Sequence, residues 1–352
     1  MDFGLQFFPD MGPDDMSAQD YWREALALVD LCDELGFSHV RTVEHYFRPY
    51  GGYSPNPHLF LSAAAMRTRR ARLITGAVLP AFNHPLKLAG EIGLLDAISC
   101  GRLEVGFARA FLPHEFARFG VPVNESRARF EEGVEQVGQL LEQEAVSCEG
   151  RFHSFKDVTS LPRPTQKPRP PFWIAAVATP ESFARAGSAG HAVMAIPAVG
   201  HKTRELLQIY RDAWTAAGHP GRGRVMLAFH MFCAETADAA AQTARAPLNR
   251  YFKQFVEAAS DWVSGTRSED YPNYDQLIAN LAKENFETQV AKGAAWVGTP
   301  DMIVKQITDY HAAVGGFEIA SLQVNFGGIN TAAAEKSMRL FATEVMPAVA
   351  RL

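Results

Sequence analysis

The sequence predicts one (β/α)8 TIM barrel, an α/β fold running over residues 1–352 as a single domain. Three observations carry that prediction. Strand-like and helix-like segments alternate almost from end to end, and the strand–helix pairs number eight. No Gly-x-Gly-x-x-Gly follows the first strand run, as it usually would in a doubly wound open sheet. At 352 residues and 47% hydrophobic content, the chain can also bury a core of that size.

Residues 4–8 read as the first strand. Ser17 opens a helix that sets Tyr21, Trp22, Ala25, Val29, Cys32 and Leu35 on one face until Gly36 stops it. A strand at 39–43 precedes a helix at 57–68, one at 72–79 precedes a helix at 85–99, and one at 102–107 precedes a helix at 127–142. The rhythm then breaks. Residues 147–161 form a short excursion after strand four, and the proline-rich stretch 162–171 reads as an extended connection, since proline lacks the N–H a helix needs. Strands at 172–176, 191–197 and 225–234 follow, with helices at 180–188, 203–217 and from 238. Residues 257–295 are long and irregular, with a polar tract at 264–270, the pattern of a lid-like insertion. Thr299-Pro300 caps another helix, and 319–326 and 332–345 are the last strand and helix.

Composition excludes several classes. Net charge is −5, from 34 basic and 39 acidic residues, and no basic stripe suits nucleic acid. No apolar run approaches membrane-spanning length, and the start Met1-Asp2-Phe3-Gly4 lacks a signal-peptide layout, so a soluble cytoplasmic protein is expected. Cys32, Cys100, Cys148 and Cys233 show no Cys-x-x-Cys spacing, and the eleven histidines no His-x-x-x-His. Neither a metal centre nor a redox pair is expected.

In a barrel, functional groups gather after the strands. Here those positions are Phe7-Phe8-Pro9, His45, Thr75-Gly76-Ala77, 106–110, 177–182 and Asn325-Phe326-Gly327. The set is apolar and aromatic, with one histidine and one arginine. It lacks the paired carboxylates of a glycosidase and suits a flat aromatic cofactor better than hydrolysis. His45 ends the run Thr42-Val43-Glu44 before a Gly- and Pro-rich loop, which makes it the catalytic candidate; an ordinary polar residue closing a strand reads equally well. Arg109 matches a phosphate with two parallel hydrogen bonds. The turn Val177-Ala178-Thr179-Pro180-Glu181-Ser182 offers helix-start N–H groups to an anion, with Glu181 opposing it. The plain alternative is a helix cap and a surface arginine.

Glu44-His45-Tyr46-Phe47 with Asn56-Pro57 resembles the Glu-His-His-Phe…Asn-Pro segment of the bacterial luciferase α subunit. Matching segments follow in order: Val78-Leu79-Pro80 with His84-Pro85, Leu94-Leu95-Asp96 with Gly101-Arg102, Phe119-Gly120 with Ser126-Arg127, Val297-Gly298-Thr299-Pro300, and Met338-Arg339-Leu340-Phe341 with Val345-Met346-Pro347. Over nearly its whole length the chain is similar to the luciferase-like flavin monooxygenase superfamily, whose members are (β/α)8 barrels.

The resemblance implies a two-component monooxygenase that oxidises a small to medium organic substrate with oxygen via a flavin hydroperoxide. Reduced FMN would come from a separate NAD(P)H:flavin reductase, and the chain would form a homodimer. His45 falls on the family's catalytic histidine and Arg109 on the arginine that contacts the FMN phosphate. Val177, Ala178, Thr179 and Ser182 fall on the phosphate-binding turn. Thr75, Gly76 and Ala77 fall on the segment whose cis peptide supports the isoalloxazine ring. Tyr46 replaces a second histidine and Ala108 a cysteine, which argues against light emission from an aldehyde. Two alternatives stand beside this reading. One is a deazaflavin-dependent hydride-transfer oxidoreductase, disfavoured because 106–110 lacks the glutamate that branch places there; the other is a non-catalytic flavin-binding subunit. His84 reads as a helix cap, His153 as part of the excursion, His114 as a loop residue or substrate contact, and Arg127 as a family arginine or a structural ion pair.

Overall fold

The computed structural model describes residues 1–197 and 200–352. Its strands are β1 (Asp2–Phe7), β2 (His39–Thr42), β3 (Arg72–Thr75), β4 (Leu103–Phe107), β5 (Val146–Glu149), β6 (Ser154–Val158), β7 (Phe172–Ala175), β8 (Ala192–Ala195), β9 (Val225–Cys233), β10 (Ala295–Gly298) and β11 (Ile319–Gln323). Eight of them pair in parallel in the order β1-β2-β3-β4-β7-β8-β9-β11, and β11 returns to β1 to close the barrel. The excursion is the antiparallel hairpin β5–β6. Helices start where capping residues stand: Ser17, Asn56, His84 and Thr299 each accept an N–H of the first turn, and proline follows three of the four.

Four local expectations are corrected. Residues 257–295 are irregular only in part: a 3-10 turn at Ser260–Trp262 and helices at Tyr274–Leu281 and Phe286–Ala291 lie within them, while the polar tract 264–270 is turn and loop. They end in β10, which pairs with the far half of β9 beyond the point where β8 stops. The third strand ends at Thr75, not 79: beyond it only Val78 bridges back to the sheet, to Phe107. The loop after β4 contains a helix, Pro113–Phe119. The last strand stops at Gln323, and the last helix passes into a π turn at Phe341–Val345.

Alternate residues of each strand point into the barrel. At its N-terminal end Glu104 accepts from Arg72 Nε (2.9 Å), Arg224 Nη1 (3.2 Å) and Trp173 Nε1 (2.6 Å), an ionic plug in which two arginines share one carboxylate. Above it His39 Nε2 meets Ser321 Oγ at 3.0 Å. Higher still, Arg41 crosses the interior to Gln6 and to the Gly76 carbonyl. Among the described residues, no helix is long and apolar enough to cross a membrane.

Candidate active site

His45 leaves β2 at the C-terminal mouth, where the barrel was expected to carry chemistry. Its backbone N–H bonds Ser54 O at 3.1 Å, and the loop returns so tightly that a Cβ at position 51 would lie 2.6 Å from His45 Cβ. Gly51 has φ +78°, so glycine is required there on both counts. The ring packs against Phe8, Tyr50 and Phe111 at centroid distances of 5.7, 5.5 and 6.0 Å. Its Nδ1 lies 3.1 Å from Glu115 Oε1, and the same oxygen accepts the Tyr46 N–H at 2.8 Å. Glu115 is fully buried. A carboxylate acceptor there keeps the imidazole proton on Nδ1 and leaves Nε2 as the basic nitrogen.

Sequence reasoning missed Glu115 because it stands in the helix hidden within the β4 loop. The signal was the acidic residue in Pro113-His114-Glu115-Phe116. It is not the glutamate looked for at 106–110, a stretch that carries none; it lies in the following helix, bonded to His45 and the Tyr46 N–H. His114 is turned instead to the Tyr46 carbonyl, 3.2 Å from Nε2, and builds the loop. Tyr46 faces away from His45. Its hydroxyl donates to Glu44 Oε1 at 2.5 Å, and its ring packs on Phe82 and Phe119. Glu44 also accepts from Asn83 Nδ2 and the Leu79 N–H, so it ties the β2 and β3 loops together. Burial pushes its pKa up to about 7, against the pull of those three donors.

A cavity of about 720 Å³ runs between the Ser126–Glu142 and Pro180–Ser188 helices; Arg109, Arg127, Ser182 and Arg185 all line it. The structure thus brings Arg109 and Ser182 into one cleft, with Arg127 beside them. Val177, Ala178 and Thr179 are not in that lining, and Thr179 makes no side-chain cap. Arg109 donates one hydrogen bond, to Asp270 O at 3.0 Å, and its guanidinium lies 4.8 Å from the Tyr271 ring centroid. Its other N–H groups have no acceptor among the described residues. Asp270 accepts from Ser126 Oγ, Arg127 N and Arg127 Nε, while Trp262 Nε1 bonds Phe111 O at 2.7 Å. The insertion is therefore pinned to the β4 loop and to the start of the Ser126–Glu142 helix.

The barrel mouth itself is floored by small residues. Gly76 has no room for a Cβ, which would fall 1.9 Å from Arg41 Nε, and one at Gly106 would fall 2.2 Å from Thr75 O. The Thr75 hydroxyl is taken up by Gly106, accepting its N–H at 2.8 Å and donating to its carbonyl at 3.0 Å. Thr75 therefore builds the wall and has no free hydroxyl for a cofactor. The cis peptide lies at Gly76–Ala77, within the segment expected to carry one. Beside it a smaller cavity of about 70 Å³ is lined by Gln6, His230, Tyr251 and Gln323. Tyr50, packed on His45, meets Tyr251 hydroxyl to hydroxyl at 3.3 Å.

The family pattern of the luciferase-like monooxygenases matches residues 1–315. The chain belongs to that family. Among solved structures it is similar to the monooxygenase RslO1 from Streptomyces bottropensis, at 44% identity over 99% of both chains and a TM-score of 0.89. Over 99% of its length and 95% of the relative's, it is 27% identical to the oxygenase component of the flavin-dependent trigonelline monooxygenase of Acinetobacter baylyi. A 173-residue stretch, 49% of the chain, is 36% identical to an uncharacterised protein of Sinorhizobium fredii, of which it spans half. For a luciferase-like monooxygenase, the residues present fit a flavin. The cleft holds Arg109, which keeps N–H groups free for a phosphate, although Glu131, Glu135 and Glu142 also line it and Arg127 and Arg185 are paired with Asp270 and Glu131; a glycine-floored mouth suits a flat ring, and a histidine held by a carboxylate stands at the end of β2.

Proposed function

We propose that this chain is the oxygenase component of a two-component monooxygenase, one barrel domain that takes reduced FMN from a separate reductase and oxidises an organic substrate with molecular oxygen. One observation carries it: the loop after β4 and the starts of the Ser126–Glu142 and Pro180–Ser188 helices set Arg109, Arg127 and Ser182 in one cleft, and the segment after β4 also delivers Glu115 to His45. Arg109 and Arg127 would grip the phosphate, since guanidinium matches phosphate oxygens bidentately. Bound flavin supplies the activation of oxygen. His45 takes or returns a proton at Nε2, with Glu115 holding its other proton in place. Phe8, Tyr50 and Phe111 keep water from that nitrogen, and Trp262 and Tyr271 seal the insertion over the β4 loop.

The homodimer of this reading has a place to form. Leu59 and Met66 on the Pro57–Arg67 helix and Leu94 on the Pro85–Ile98 helix are 71%, 77% and 52% exposed on neighbouring helices. A second copy of the chain is the occupant proposed for that face.

Anaerobic titration tests the cofactor assignment. Reduced FMN should bind at least tenfold more tightly than reduced riboflavin, and Arg109→Ala should abolish the difference. Tight binding of a reduced deazaflavin without binding of reduced FMN would overturn it in favour of hydride transfer. Oxygen uptake with a flavin reductase and candidate substrates then separates an oxygenase from a silent flavin-binding subunit.

A further inference from the structure

Arg41 is the single buried arginine among the described residues, 8% exposed, and its bonds go only to neutral groups. Its Nη1 donates to Gln6 Oε1, its Nη2 to the Gly76 carbonyl at 3.1 Å, and the same Nη2 lies 3.5 Å from Met194 Sδ. Its Nε is buried with no acceptor. Burial lowers its pKa to about 10, so it stays charged at neutral pH. The groups around it offer no counter-charge. His39, two residues below on β2, is held neutral by burial, with a pKa near 3. Tyr251, from the Ala237–Ala258 helix, has its phenol pushed upward by burial and is protonated. Gln6 on β1, Gly76 after β3 and Met194 on β8 are uncharged. At the other end of the same barrel, by contrast, Arg72 and Arg224 share Glu104.

An uncompensated buried cation is costly, and the fold has placed this one directly beneath the glycine floor of the mouth. We infer that Arg41 is a fixed positive charge that holds a reduced flavin ring, seated in the mouth, in its deprotonated, anionic form. The inference rests on the flavin reading above and goes beyond it. Reduced flavin is a weak acid that loses one ring proton to solvent near neutrality, and a cation in a low-dielectric wall favours the anion. Arg41 acts here as a positioning charge: it reaches the ring electrostatically, through the floor it supports. Gln6 and the Gly76 carbonyl aim the guanidinium, and Gly76 leaves room for it.

The test is an anaerobic pH titration of the reduced FMN–protein complex followed by absorbance. In the wild type the bound cofactor should ionise at least one pH unit below free reduced FMN. Arg41→Met and Arg41→Gln should return it to the free value, and Arg41→Lys should retain most of the shift. In parallel, the preference for reduced over oxidised FMN should fall at least tenfold in Arg41→Met, which is about 30 mV in a two-electron potential. Should the Met variant not fold, the wild-type titration decides alone: bound reduced FMN that titrates like the free cofactor overturns the inference. If the wild type binds no reduced FMN, the flavin reading itself falls and this inference with it.

Discussion

Glu115→Gln separates a positioning carboxylate from a packing residue. Both hydrogen bonds to Glu115 end on Oε1, while Oε2 is buried without a partner among the described residues. In the amide, Oε1 can keep both donors, but the NH2 group then occupies the Oε2 site with nothing to accept its protons. A buried unsatisfied donor costs about 1–3 kcal/mol. Loss of charge weakens the two retained bonds by about 1 kcal/mol each, and relief of a buried carboxylate's desolvation offsets part of this. The net expectation is a loss of about 1–3 kcal/mol, read by urea unfolding at constant m-value. Nδ1–H then donates to a neutral amide oxygen, so Nε2 loses the basicity and the imidazolium support that the carboxylate charge gave, and turnover should fall by about 100-fold or more. The reduced-FMN dissociation constant should hold, since the Arg109–Arg127 cleft is untouched. A variant with turnover within about threefold of wild type and unchanged stability would refute the role given to the His45–Glu115 pair.

Three further outcomes follow from other parts of the fold. Glu44 keeps its proton to about pH 7 when folded but releases it near 4.5 when unfolded, so its contribution to stability falls as pH rises through that window, by about 3 kcal/mol in all. Urea unfolding at pH 5 and 8 should show this slope, and Glu44→Gln should flatten that part while leaving the similar contribution of Asp10, whose pKa burial also raises to about 7. Gly51→Ala places a methyl against His45 at φ +78°; a stability loss of about 1–2 kcal/mol is expected from the left-handed backbone alone, with turnover falling further than stability accounts for. If the proposed homodimer uses the Leu59–Met66 face, Leu59→Glu with Met66→Glu should give a folded monomer by sedimentation where the wild type sediments as a dimer, because neither side chain supports the core; a dimer that survives both changes, or a monomeric wild type, refutes that face.

The barrel was legible because its signal is periodic and long: eight strand–helix pairs tolerate errors of a few residues at each end. The strand β10 was not, since four residues before Thr299-Pro300 carry too little pattern to separate from a loop, and only pairing with the exposed half of β9 makes them a strand. The helix Pro113–Phe119 was hidden for the same reason, and Glu115 with it. Arg109 and Ser182 were legible because they directly follow strands; the anchors Trp262 and Tyr271 were not, because they reach the site from more than 150 residues away in sequence. The partner of the Thr75 hydroxyl, Gly106 on the neighbouring strand, was not legible, since hydrogen-bond direction is a tertiary fact. His39 and Arg41 did leave a trace. A parallel barrel strand buried on both faces should be almost wholly apolar, and two basic residues in alternation within 39–43 mark polar groups pointing inward.

The close fit of Arg41 under Gly76 has a consequence for how this barrel can change over generations. A side chain at 76 would fall on the guanidinium, so the two positions cannot drift independently. A lineage that gains alanine at 76 must first lose the arginine, and one that keeps the arginine is locked to glycine. Reading those two positions together in descendants would reveal which barrels still carry a charge beneath the mouth, before any protein is made.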